Sequence, residues 1–248
     1  MYVNYLDYAA RKNGTQRVTL KPGSLDQIVL LHDSAKYSSF KLRTIAVGGD
    51  VWAGGSADNV NTSYVPSAAE CDKNHAAWAI NENIFSNAFH LQYGNFDWFS
   101  GGDIQYSGKS SQSWKDIELP IYKVMKKVEG MKASHHSTAN TNSAELLGAL
   151  KPDFYIAGVW REVQPNAATL KRVYTANPSV RIFTTNLMPN NITTLKNEGI
   201  DPGSFNATGG HVVVRVLPEG KKYYIFVLND NNEEYKVSAK FGPYTAFL

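Results

Sequence analysis

Residues 130–147, "GMKASHHSTANTNSAELL", set the reading of this chain, because they place a short apolar run, a polar loop and a helix start in succession. The apolar run is of the length expected for a strand buried in a sheet. Asn142 followed by Glu145 has the spacing of a capping box, so a helix is expected to open just after the paired histidines His135 and His136. Side chains at such a strand-to-helix junction stand at the rim of a sheet, where functional groups collect. The local sequence admits two readings of the pair: metal ligands at a strand end, or two surface imidazoles in a loop. Only six of the 248 residues are histidine, which makes an adjacent pair unusual.

Outward from this stretch, strands and helices alternate. Downstream, "FYIAGVW" (154–160) reads as a buried strand, "NAATLKRVYTA" (166–176) as a helix and "VRIFTT" (180–185) as a further strand. This order suits a sheet covered by helices. The end differs: "HVVVRVL", "KYYIFVL" and "EYKVSAK" are separated by the turns "PEG" and "NDNNE", which predicts an antiparallel meander. Upstream, "IFSNAFHLQY" (84–93) and "FDWFS" (96–100) are expected to pair around Gly94 and Asn95. "WKDIELPIYKVMKKV" has helical spacing with its start near Pro120, while "QIVLLHD" (27–33) and "FKLRTIAV" (40–47) read as strands. The Gly-rich "GGDVWAGGSADN" that follows breaks regular structure, and "MYVNYLDYAARKNGTQ" reads as a polar helix. The expected fold class is α/β, in α+β layers, ending in an antiparallel meander.

Composition narrows the function classes. With 43% hydrophobic and 12% aromatic residues, the chain can bury a core. A net charge of +3 without a basic run gives no electrostatic case for nucleic acid. Cys71 is the single cysteine, which excludes an internal disulfide and a thiolate metal cluster and leaves His and carboxylates as candidate ligands. No stretch approaches the roughly 20 apolar residues of a membrane span. The opening lacks the three parts of a signal peptide, and periplasmic or secreted placement stays open.

Chemistry concentrates at strand ends. In "FDWFSGGDIQ" an apolar strand runs into two glycines and then Asp103, which holds a carboxylate at the sheet rim. Locally, Asp103 reads either as a turn residue bonded to its own backbone or as a metal-bridging group. His32, His75, His90 and His211 read as structural imidazoles, and Asn81, Asn83 and Ser86 in "NENIFSN" as turn residues.

As an ordered series, "NENIFSN", a hairpin, "GGD", a helix, a short strand, "HH", a capped helix and "LKPDFYIAGV" resemble the C-terminal half of a metallo-β-lactamase-fold hydrolase. Within that superfamily the likeness is to the branch holding the hydrolase domain of late-competence DNA-uptake proteins and bacterial teichoic-acid phosphorylcholine esterases. It covers roughly residues 80–160, and "QPNAATLKRVYTANPSVRIFTTN" and "GGHVVVRV" follow the branch's ending more loosely.

The resemblance implies a single partial domain over 1–248, the C-terminal part of an αββα sandwich. A linker helix and strands would occupy 1–60, the site motifs 80–160, and a closing helix, strand and three-strand meander 161–248. By the same resemblance, Asp103 is the carboxylate bridging two zinc ions, His135 or His136 a late ligand, and Asn81, Asn83 and Ser86 its support. The implied activity is metal-dependent hydrolysis of a phosphodiester or related ester in a small-molecule or polymer substrate. The family's H-x-H-x-D-H motif is nowhere in the sequence. That leaves a segment of a longer hydrolase with the motif in a missing N-terminal half, a degenerate member, or ligands from another chain. The first is the expectation here, and with it inactivity of the isolated chain. The alternative function is a catalytically silent cell-envelope or glycan-binding module on the same fold, using its 14 Tyr and 5 Trp.

Overall fold

The computed structural model describes residues 2–61, 82–107 and 116–247. Cys71, His75 and Asn81 lie outside them. Helix α1 spans Tyr2–Asn13, where a polar helix is expected. A mixed sheet then forms from β1 (Phe40–Val47), β2 (Asp50–Trp52), β3 (Val60–Asn61), β4 (Ala88–Tyr93), β5 (Phe96–Ser100), β6 (Gly130–Lys132), β7 (Phe154–Ala157) and β8 (Arg181–Thr184). Its strand order is β3-β2-β1-β4-β5-β6-β7-β8. Neighbours from β3 to β5 run antiparallel, and those from β5 to β8 parallel. The strands within 40–61 therefore belong to the main sheet, and β2 lies inside the Gly-rich stretch expected to break regular structure.

The parallel half needs crossovers, and helices supply them. These are α2 (Glu118–Val124), between β5 and β6; α3 (Ala144–Leu150), between β6 and β7; and α4 (Ala167–Ala176), between β7 and β8. Helix α5 (Pro189–Asn197) follows β8. Alternation along β7 shows how one strand serves two cores. Tyr155 and Ala157 join Ile121, Leu146, Leu147, Leu150, Leu170 and Val173 beneath the helices. Phe154 and Ile156 face the other way, towards the second sheet.

That second sheet is the expected meander: β9 (His211–Val216), β10 (Lys222–Leu228) and β11 (Val237–Thr245), with β10 in the middle. The "PEG" turn takes one 3-10 turn, Pro218–Gly220, and no crossover. Tyr223 packs edge-on against Phe96 at 5.2 Å between ring centroids and lies 5.4 Å from Phe154, which ties the sheets face to face. The described residues thus form a helical layer, a mixed sheet and a small antiparallel sheet, an α/β arrangement.

Two further local expectations differ from the structure, and one helix was not expected. The strand at 27–33 does not form: no described strand pairs with it, and Val29 and Leu31 are exposed. Helix α3 is capped by Ser143, whose Oγ accepts the Leu146 N–H at 3.2 Å. Asn142 instead bonds the backbone of Ser134. Helix α5 is missing from the pattern reading because it carries only two apolar residues, Ile192 and Leu195, although Pro189 at its start and Gly199 beyond its end mark it.

Candidate functional site

The candidate residues gather at the C-terminal ends of β5, β6 and β7, the rim where α/β sheets place ligands. After β5, a Cβ on Gly101 would lie 2.8 Å from Ser134 Oγ, and one on Gly102, at φ +60°, 2.8 Å from Ser86 Cβ. Only glycine lets this turn lie between the two serines. Asp103 follows, and its N–H donates to Ser86 Oγ at 3.0 Å.

The histidine loop follows β6 in an unusual conformation. His135, His136 and Ser137 have φ of 45°, 59° and 64°, three consecutive left-handed residues without a glycine. Each costs about 1 kcal/mol, so the loop has to be held. Buried Asn142 holds it: its Oδ1 accepts the Ser134 N–H at 3.1 Å, and its Nδ2 donates to the Ser134 carbonyl at 3.2 Å. Glu118, also buried, accepts the N–H groups of Asn142 and Ser143 at 2.6 Å each. Arg172 donates to the carbonyls of Ala139, Thr141 and Asn142, and Tyr155 donates to Ser137 Oγ at 2.9 Å. Burial pushes the Glu118 carboxyl up to about 7, against the pull of the N–H donors.

Held this way, the two histidines differ. The Nδ1 of His136 faces the Gly158 carbonyl at 2.5 Å, and because a carbonyl only accepts, that nitrogen carries the proton. In the neutral ring Nε2 then carries the lone pair, 3.9 Å from Asp103 Oδ2. His135 has both nitrogens engaged, Nε2 by the Asn83 amide at 3.1 Å and Nδ1 by the Gln105 amide at 2.6 Å. A neutral imidazole has one N–H and one lone pair, so one of these amides turns its oxygen to the ring. Burial lowers the pKa of His135, with Asp103 opposing and the charges of His136, Lys132 and Arg161 adding to the drop.

Lys132 completes the group. Its Nζ donates to the carbonyls of Gly102 at 3.0 Å and Ala133 at 3.1 Å, and stands 3.8 Å from Asp103 Oδ1. Burial lowers its pKa, and Asp103 opposes the shift. Trp160, beyond β7, meets the His136 ring edge-on at 6.0 Å between centroids.

The structure therefore brings together Asp103, His135, His136, Asn83 and Ser86. The donor set suits one cation in part: a carboxylate oxygen faces an imidazole lone pair whose ring is oriented by a carbonyl, as metal-ligating histidines are. It does not suit a carboxylate bridging two ions, because the other Asp103 oxygen faces the Lys132 ammonium. Among the described residues, no group of three or more His, Cys, Asp or Glu side chains is placed to hold a metal ion.

Outside this group, His90 is the structural imidazole expected, bonded to Asp97 Oδ1 at 2.7 Å across the β4–β5 pair. Sequence reasoning missed Lys132, Gln105, Glu118 and Asn142 as partners of the site. It also placed Trp160 inside a buried strand, whereas β7 ends at Ala157 and Trp160 is exposed.

No family model matches the chain, and no curated protein matches it. Among solved structures, it is similar to a protein from Parabacteroides distasonis provisionally named a metal-dependent hydrolase, at 12% identity and a TM-score of 0.37. The match covers 73% of this chain and 63% of that one, so the chain spans under two thirds of that protein. A likeness this distant carries no argument about the activity.

Proposed function

We propose that this site belongs to a metal-dependent hydrolase of phosphodiester or related ester bonds, with Asp103 and His136 as the groups of this chain that hold the cation. The observation that supports the reading is the His136 ring: its proton is fixed on Nδ1 by the Gly158 carbonyl, and its free Nε2 faces a carboxylate oxygen. In the neutral ring, the Nε2 lone pair and the carboxylate face each other and leave a place for a positive charge. Neutral imidazole with carboxylate suits zinc, and a zinc ion bound there would make a water acidic enough to supply hydroxide near neutral pH.

The chain's other residues have separate tasks. Lys132 offsets negative charge beside Asp103. His135, tied by Asn83 and Gln105, positions the loop. Ser86 fixes the Asp103 backbone. Two protein ligands fall short of the three that hold a catalytic zinc, so the reading requires further ligands beyond the described residues.

Lys132 also favours the second reading, a silent glycan- or envelope-binding module, because its ammonium offsets the Asp103 charge without a metal ion. Zinc titration with mass-spectrometric metal analysis separates the two. Under the hydrolase reading, Asp103→Asn and His136→Ala each lower zinc retention, and His135→Ala lowers it less. Equal zinc uptake by wild type and both of the first two variants would refute the assignment.

A further inference from the structure

Beyond β7, the segment from Gly158 to Pro165 passes beside His136 and carries the exposed side chains Trp160, Arg161 and Val163. Its backbone is nevertheless fixed. The Val159 N–H donates to Thr185 Oγ1 at 2.9 Å, and the Trp160 and Arg161 N–H groups both donate to Oε1 of buried Gln164 at 3.2 Å. The Gln164 N–H returns to the Arg161 carbonyl at 3.1 Å. A single buried amide thus shapes a turn that displays Trp160, a residue 55% exposed. Leaving so large an apolar group in water forgoes burial energy, and a rigid backbone beneath an exposed aromatic is the build of a recognition surface.

The charges around this turn are two cations, Lys132 and Arg161, and two carboxylates, Asp103 and Glu162. The Arg161 guanidinium lies over the indole at 4.2 Å from the ring centroid. Its charge and that of Lys132 both act on His135. The turn's own acid, Glu162, is held by the Asn190 amide at 2.9 Å. Lys132 stands 3.8 Å from Asp103, whereas Arg161 has no carboxylate at ion-pair distance among the described residues. That guanidinium favours an anion, and the indole it covers favours an organic ring attached to the anion.

We propose that Trp160 and Arg161 form the substrate-binding lip of the site and take a phosphate ester whose organic group is a ring. Arg161 pairs with the phosphoryl oxygens through its planar donors, and the ring packs on the indole and Val163. The location of the scissile bond rests on the hydrolase reading above, whereas binding at the lip requires neither metal nor turnover.

Calorimetric titration of the full chain at low salt tests this with phenyl phosphate, inorganic phosphate and benzyl alcohol as probes. Phenyl phosphate should bind and benzyl alcohol should not. Arg161→Gln should weaken both phosphate probes by about tenfold or more, the scale of a lost charge-assisted hydrogen bond. Trp160→Ala should weaken phenyl phosphate about fivefold, the scale of a lost stacking contact, and leave inorganic phosphate within about twofold. Both side chains are exposed, so the variants should keep the wild-type circular dichroism. Wild-type affinity for phenyl phosphate in either variant, or equal weakening of both phosphate probes by Trp160→Ala, would overturn the lip. If phenyl phosphate binds as described but zinc retention ignores Asp103 and His136, the hydrolase reading fails and the lip stands. The reverse pattern removes the lip and leaves the hydrolase reading.

Discussion

Glu118 ties helix α2 to the histidine loop, and its ionisation should be visible in the stability of the whole chain. Burial raises its carboxyl from an ordinary 4.5 to about 7 in the folded state. A group raised in this way contributes stability that is fully present below pH 4.5 and is lost as pH rises through about 7. At about 1.4 kcal/mol per pH unit, the span comes to about 3 kcal/mol. The informative perturbation is Glu118→Gln, which keeps the shape and removes the titration. At pH 5 the variant should be less stable than wild type by about 1–2 kcal/mol, because its NH2 faces a backbone N–H where an oxygen stood. Between pH 5 and pH 8 wild type should lose its advantage, and the difference should shift by about 3 kcal/mol in favour of the glutamine. Urea unfolding followed by tryptophan fluorescence at four pH values reads this directly, since other titrating groups cancel between the proteins. Two stability profiles that stay parallel across this range would refute the reasoning.

Asn142→Ala should cost about 2–4 kcal/mol in urea unfolding, since it strips the partners from the buried N–H and carbonyl of Ser134. Ser143→Ala removes the α3 cap and should lower stability by about 1 kcal/mol, measured by thermal denaturation. Phe154→Ala empties the space between the sheets where the ring meets Trp98 and Tyr223, and should cost about 3–5 kcal/mol by the same assay. Hydrolysis of bis(4-nitrophenyl) phosphate by this 248-residue chain should stay at background, because among the described residues Asp103 and His136 alone leave a metal under-coordinated.

What the sequence made legible follows from the range of the interactions. The β4–β5 hairpin, β7, β8 and the meander are local patterns of alternation or burial bounded by turn residues, and each forms where expected apart from its ends: β4 starts only at Ala88, β7 stops at Ala157 and β11 runs on to Thr245. "QIVLLHD" has the same composition as a strand, but pairing depends on a neighbour, which local pattern does not show. Asp103 and the histidine pair were legible because strand ends and glycines mark the rim. Their partners were not: Asn83 reaches His135 across 52 positions and Gln105 across 30, so only the fold brings them together. Trp160 was misplaced because an apolar residue after a buried strand carries no local sign that the strand has ended.

The left-handed run from His135 to Ser137 sets two selections against each other. Glycine at any of these positions would relieve about 1 kcal/mol of backbone energy, which at buried Ser137 the lost partner of Tyr155 offsets, so a screen for heat tolerance alone has its ready gain at the two histidines. The same exchange would delete an imidazole or the hydroxyl that receives Tyr155. A library randomised at these three positions can therefore be sorted twice, once for survival of heating and once for zinc or phosphate-ester capture. Glycine rising in the first sort and falling in the second would show that these positions trade durability for chemistry, and glycine rising in both would show that the histidines are dispensable.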